Sequence, residues 1–254
     1  MFGAMRRWWR QRIIERAGLD TVLWQDTLRR FPFLHGLTPD ECARLREAVI
    51  LFLHQKSVRG AGGLQLDNSM QLMIAVQACV LILNLDLDYY RGWVEVIVYP
   101  DEFVPTVEYT DEDGVVHLDR EPRTGEAWLQ GPVILSWADV APAADGVNVV
   151  IHEFAHKLDM LNGDANGFPP LHPDMSRQAW TSAFASAYED FCRRVDAGAD
   201  TSIDPYAAES PAEFFAVMSE AFFEMPRAVL ADYPDVYAQL KVFYRQDPAA
   251  RRQV

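Results

Sequence analysis

The run His152-Glu153-Phe154-Ala155-His156 sets two imidazoles four residues apart, with a carboxylate directly after the first. On a helix, residues i and i+4 share a face, so both rings can offer a nitrogen to one divalent metal; zinc takes such nitrogens at about 2.0–2.1 Å. The Glu153 carboxylate then projects beside the metal, where it can accept a proton from activated water and pass it to a leaving amine. The pattern is the HExxH arrangement of metal-assisted hydrolysis.

That chemistry requires a helix with the histidines turned away from the core. Asp145 is a suitable N-cap, the helix is predicted to run to about Leu161, and Asn162-Gly163 forms the stop. At about 100° per residue, Val147, Val150, Ile151, Phe154, Leu158 and Leu161 gather into one apolar stripe. His152, His156 and Asp159 fall on the opposite side.

A hydrolytic zinc site needs three protein ligands and one open position. The metzincin extension is absent, because Asp159 and Asn162 stand where Gly and His would be required. The residue chemistry leaves Asp159, His172 and the glutamates of the segment from Glu209 to Glu220 as third ligands. Asp159 shares the helix of both histidines, so it either orients an imidazole or is solvated. His172, between Pro170 and Pro173, reads as an exposed loop histidine. Ser210-Pro211-Ala212-Glu213 reads as an N-cap, a first helical proline and a capping-box glutamate, and Glu213, Glu220 and Glu224 share one helical stripe. Ligand and cap are both open to Glu213 at this point.

The surrounding chain reads as α+β. Helices dominate the first part: Thr38-Pro39-Asp40-Glu41 is a capping box ahead of Leu45, Val49, Phe52 and Leu53, a turn follows at Gly60-Ala61-Gly62-Gly63, and Ser69 to Leu83 is long enough for a buried helix. Trp93 to Tyr99 is strand-like, Thr106 to Tyr109 and Val115 to Leu118 form a hairpin about Asp113-Gly114, and Val133 to Trp137 is a further strand. Helices return after it, with Phe214, Met218, Ala221 and Phe222 as a core stripe. The predicted organisation is a mainly helical part over 1–92 packed on a catalytic part over 93–254, in one compact unit.

Composition excludes several classes. Lys and Arg total 23 against 37 Asp and Glu, and the net charge of −14 disfavours nucleic acid as a partner. Three widely spaced cysteines, Cys42, Cys79 and Cys192, form no CxxC pair and read as reduced thiols. The basic start Arg6-Arg7-Trp8-Trp9-Arg10 leads into no apolar signal region, and Met73 to Leu83, broken by Gln77, is too short to span a bilayer; a cytoplasmic location without membrane insertion is the expectation. The aromatic, basic stretch Met5 to Ile14 fits either a membrane-surface helix or one docking Ile13 and Ile14 on the domain, with docking preferred. Ser136 lacks a GxSxG context, and Gly62-Gly63 lacks the GK[ST] of a phosphate loop.

His152 to Asp159, taken with Tyr206-Ala207-Ala208-Glu209-Ser210-Pro211-Ala212-Glu213-Phe214-Phe215-Ala216, resembles the Mlc titration factor A family of bacterial zinc peptidases. The likeness extends through Lys56 to Gly60, Ile74 to Cys79 and Val98 to Pro100. That family is related in its catalytic domain to anthrax lethal factor. The resemblance implies a zincin-like fold with a small mixed sheet, an active-site helix and a second ligand-bearing helix. It implies one zinc per chain held by His152, His156 and Glu213, Glu153 as general base, and Tyr206 as hydroxyl donor to the tetrahedral oxyanion. Lethal factor carries a second glutamate one turn after its ligand glutamate, where this chain has Val217; its contact is either absent here or supplied by another group. The implied activity is aminopeptidase cleavage of short peptides; by strand addition, Val133–Trp137 as an edge strand would pair with an extended substrate. Binding of the glucose-responsive repressor Mlc is also implied. The alternative is a regulatory interaction protein that titrates this repressor, its peptidase activity incidental or partner-activated.

Overall fold

A computed structural model describes residues 2–103, 107–110, 116–119, 124–129, 131–141 and 147–251. Three helices lead the chain: α1 (Phe2–Arg16), α2 (Thr21–Arg30) and α3 (Pro39–Gln55). The predicted capping box of α3 is present in both directions, with Thr38 Oγ1 accepting from the Glu41 N–H and the Glu41 carboxylate accepting from the Thr38 N–H. Strand β1 (Ser57–Gly60) follows, where the sequence reading placed only a turn, and then α4 (Asn68–Leu81) and β2 (Glu95–Tyr99). β1 and β2 pair in parallel, a geometry that needs a crossover between them, and the buried helix α4 is that crossover.

The remaining strands are β3 (Val107–Thr110), β4 (Val116–Asp119), β5 (Gly125–Ala127) and β6 (Val133–Ser136). β3 and β4 form the expected antiparallel pair; the Asp113-Gly114 turn lies outside the described residues. The main sheet has the order β1-β2-β6-β5, parallel except for the antiparallel β5–β6 pair. One expectation is thereby corrected. Val133–Ser136 is an inner strand, and the edge belongs to Gly125–Ala127. β5 precedes β6 and pairs with it antiparallel on the side away from β2, which puts the shorter strand outermost, and a sequence pattern does not report that order.

The short helix α5 (Trp137–Val140) precedes α6 (Val149–Asp159), which carries the two histidines. The N-cap of α6 is Asn148, whose Oδ1 accepts from the Ile151 N–H at 2.9 Å; Asp145 lies outside the described residues, and Val147 is exposed rather than part of the core stripe. A single 3-10 turn, Met160–Asn162, ends the segment at Gly163, whose φ of 145° suits glycine. Then come α7 (Arg177–Asp196), α8 (Pro211–Glu224), α9 (Pro226–Asp232) and α10 (Pro234–Tyr244).

Helix α6 is buried on almost every side. Phe154 meets Phe52, Tyr90 and Trp93 at centroid separations of 5.1–5.7 Å, which locks the inner face against α3 and the segment before β2. On α8, Phe214, Met218, Ala221 and Phe222 are buried as predicted. At the amino terminus, Ile13 and Ile14 pack on the core, and Arg10 pairs with Asp86 and Asp88, while Trp8 and Trp9 remain more than half exposed. Among the described residues, no helix is long and apolar enough to cross a membrane.

Candidate metal centre

Helices α6 and α8 pack against each other, and their facing sides carry the chemistry. His152 and His156, one turn apart, approach through Nε2 atoms at 3.1 Å. Glu213 Oε2 lies 2.9 Å from His152 Nε2 and 3.3 Å from His156 Nε2. These separations are near the edge of about 3.4 Å expected for a tetrahedron with ligands about 2.1 Å from its centre. The three residues could hold one metal ion.

Glu213 reaches this position because α8 begins at the right place. Ser210 Oγ accepts from the Glu213 N–H at 3.1 Å, half of the predicted capping box. The reciprocal half is absent, since the Glu213 carboxylate turns to the histidines. Two turns later Glu220 takes the other nitrogen of the same ring: its Oε1 is 2.6 Å from His152 Nδ1. Residues i and i+7 share a helix face, so one face of α8 grips His152 from both sides. A proton on Nδ1 shared with Glu220 leaves the Nε2 lone pair facing His156 and Glu213, the tautomer that metal ligation requires. Glu220 therefore makes the carboxylate contact that Val217 cannot, and it is an orienting residue rather than part of the three-donor cluster.

Asn148 ties three helices together behind the site. Its amide donates to Gln77 Oε1 and Glu224 Oε1, both at 2.8 Å, and its backbone N–H donates to Glu220 Oε2 at 2.7 Å. Asn148, three residues before Ile151, is itself a favoured N-cap type, so the sequence carries a signal for it as well as for Asp145.

Two candidates for the third ligand have other work. Asp159 is fully buried, and its Oδ2 accepts from the N–H groups of Asn166 and Gly167, each at 2.7 Å. It neither hydrogen-bonds an imidazole nor meets solvent. The loop it holds is pressed on α8: a Cβ on Gly167, whose φ is +77°, would lie 2.4 Å from the Pro211 carbonyl oxygen. Asp159 thus braces the start of the helix that presents Glu213. His172 is buried rather than exposed, with Nε2 donating to the Phe243 carbonyl at 2.8 Å and Nδ1 accepting from Tyr89 Oη at 3.3 Å. Packing against α10 overrides its loop position, and it does not join the cluster.

A cleft of about 550 Å³ opens over His152 and Glu153, lined also by Thr124, Gly125 and Glu126 of the β5 region and by Tyr206. Tyr206, half exposed on a 3-10 turn capped by Asp204, has its ring centroid 6.0 Å from that of His152. Glu153 is buried beneath β5 so tightly that a Cβ on Gly125 would lie 2.4 Å from its Oε1. The absence of a side chain at 125 is what admits this carboxylate.

Electrostatics follow from burial and neighbours. Desolvation raises Glu153 to about 7, with Glu213 and Glu220 adding to the rise and the two histidines opposing it. A bound cation would draw it back down. Desolvation opposes charge on His152, but the Glu220 and Glu213 carboxylates prevail and hold its pKa well above the ordinary value. Glu213 is penalised by burial too, yet hydrogen bonds from His152 and His156 carry it well below the usual carboxylate range.

Glu224, buried beside Glu220, is raised by desolvation from 4.5 to about 7. A carboxyl whose folded pKa exceeds its unfolded pKa contributes most to stability below the unfolded value. That contribution declines between pH 4.5 and about 7 and stays lost above it. Glu224→Gln, which keeps the acceptor for Asn148, is expected to stabilise the protein at pH 8 by up to about 3 kcal/mol and to be neutral near pH 4. Denaturant unfolding at both pH values checks this, and equal effects at the two would contradict it.

Two histidines and a glutamate converging on one point, with a second buried glutamate under an edge strand, define a metallopeptidase-type site on an α+β, zincin-like fold. Residues 5–245 match the family described as glucose-regulated metallo-peptidase M90. The chain belongs to that family. It is 38% identical over 247 residues to Mlc titration factor A of Escherichia fergusonii, covering 96% of this chain and 93% of that protein. It is 39% identical over 248 residues to Mlc titration factor A of Salmonella arizonae, covering 96% and 97%.

Proposed function

We propose that the chain is a zinc-dependent peptidase, acting as an aminopeptidase on short peptides. The observation that carries the reading is the convergence of His152, His156 and Glu213 within hydrogen-bonding distance of one another, with Glu153 alongside under β5. His152, His156 and Glu213 would hold the metal. Bound zinc supplies Lewis-acid polarisation of the scissile carbonyl and lowers the pKa of water.

The protein's own groups do the rest. Glu153 accepts the proton of the attacking water and returns it to the leaving amine. The Tyr206 hydroxyl donates to the developing oxyanion from the wall of the cleft. An extended peptide adds to the open edge of β5, which positions its carbonyl above His152 and Glu153. Glu126, Asp204 and Glu209 line the same cleft, and among the described residues of its wall there is no Lys or Arg, which favours a free ammonium end of the substrate over a carboxylate end. The working compartment is the cytoplasm.

A second reading accompanies this one: a regulatory protein that binds the repressor Mlc, with the peptidase site secondary. It is supported by identity along nearly the full length of relatives named for titrating Mlc.

Hydrolysis of alanine p-nitroanilide by the purified protein is expected to stop on treatment with 1,10-phenanthroline and to return with stoichiometric zinc. Activity indifferent to the chelator would refute the zinc reading. Gly125→Ala is expected to lower kcat/KM by about 100-fold with metal content unchanged, because its Cβ displaces either Glu153 or the substrate edge. Unaltered kinetics would show that Glu153 does not act from beneath β5.

A further inference from the structure

A second, larger cleft of about 860 Å³ lies beside the C-terminal end of α6, and its wall includes Lys157, Trp93 and Arg91 together with the apolar Leu129, Leu161 and Leu171. Lys157 directly follows the ligand candidate His156 but belongs to this cleft and not to the one over His152 and Glu153.

Three polar side chains of this wall, Lys157, Trp93 and Arg91, offer only donors, while Tyr89 Oη and the His172 ring are engaged with each other and with the Phe243 carbonyl. The Lys157 ammonium, only 3% exposed as a residue, donates to the carbonyls of Trp128 and Gly131 at 2.5 and 3.2 Å. An ammonium has three N–H groups, and the described residues accept from two of them. Among the described residues Lys157 has no carboxylate within ion-pair distance. Its Nζ lies 5.0 Å from the centroid of the Trp93 ring, and that ring, 6% exposed, has its buried Nε1–H without an acceptor among the described residues. A buried donor left unmatched costs about 1–3 kcal/mol, which favours a rearrangement that gives it an acceptor. Arg91 stands exposed on the same wall, and its guanidinium has no hydrogen-bond partner among the described residues. Among the described residues the one carboxylate of the wall is Asp88, and it is engaged by Arg6 and Arg10. A positive, donor-rich wall in a chain of net charge −14 is unusual, and the apolar side chains opposite make it amphipathic.

We propose that this cleft binds a small organic anion, a carboxylate or phosphate ester with an apolar body, whose head group is held by Lys157, the Trp93 indole N–H and Arg91. This goes beyond the peptidase reading and stands whether or not that reading does, because neither the metal cluster nor the cleft over it contributes a group.

The test follows the Trp93 indole N–H resonance of the 15N-labelled full-length protein at low ionic strength, assigned with Trp93→Phe, during titration with phenyl phosphate, benzoate and benzyl alcohol. The two anions are expected to shift the resonance saturably below about 10 mM, and the uncharged alcohol is not. The tighter of the two identifies the head group. Arg91→Ala, a change at an exposed side chain that leaves the fold intact, is expected to weaken anion binding by about tenfold, and Lys157→Met to weaken it further. The proposal is overturned by the absence of a saturable shift with either anion, by equal binding of benzyl alcohol, or by unchanged affinity in Arg91→Ala. The last two results would mark the wall as an apolar surface with a structural lysine.

Discussion

Glu153→Gln is expected to reduce peptide and alanine p-nitroanilide hydrolysis by about 10³-fold or more while the protein still binds one zinc per chain. The amide has the size of the carboxylate, so it fits under Gly125, where a larger group would meet backbone. It cannot accept a proton at neutral pH, and accepting and returning a proton is what the proposed reaction asks of this side chain. Glu153 stands apart from the three-donor cluster, so metal analysis should read the same for variant and parent. Retention of activity to within tenfold would remove Glu153 from the role of base. The same variant separates the two functional readings, since binding of purified Mlc is expected to survive the substitution.

Glu213→Ala is expected to act on the metal itself. It removes one of three converging donors, so zinc affinity should fall by more than about 100-fold, with hydrolysis lost in parallel at limiting zinc. Glu220→Gln provides the comparison. It leaves all three donors but takes the negative charge from the group that faces His152 Nδ1, and changes of that kind cost about 10- to 100-fold in affinity. Competition against a zinc-sensitive chelator dye measures both. An order reversed between the two variants would make Glu220 the ligand and Glu213 the cap.

The local features were legible before any fold was known, because each depends on neighbours within a turn or two. The histidine pair, its facing, the Thr38 capping box and the Gly163 stop all obey helix geometry over four to seven residues. Glu213 is an intermediate case. Its helix start was readable from Ser210 and Pro211, but only resemblance preferred the ligand over the cap, and the structure shows why residue reasoning left both open: the backbone N–H of Glu213 serves the cap while its carboxylate faces the histidines.

What the chain did not disclose was long-range. β1 is four residues that become a strand only by pairing with β2 some 38 positions later, and the edge passes from β6 to β5 because of the order in which strands lie side by side. Asp159, His172 and Glu220 carry side chains suited to several tasks, and each task was assigned by a partner distant in sequence: the loop at 166–167, the Phe243 carbonyl and the ring of His152. The sequence by itself determined the donor atoms and the helices that bear them, since side-chain chemistry and helical periodicity are local properties. The tertiary structure alone decided which carboxylate faces His152 Nδ1 and which strand covers Glu153, and it brought Glu213 to the histidines as the resemblance had implied, because those contacts follow from how separate elements pack.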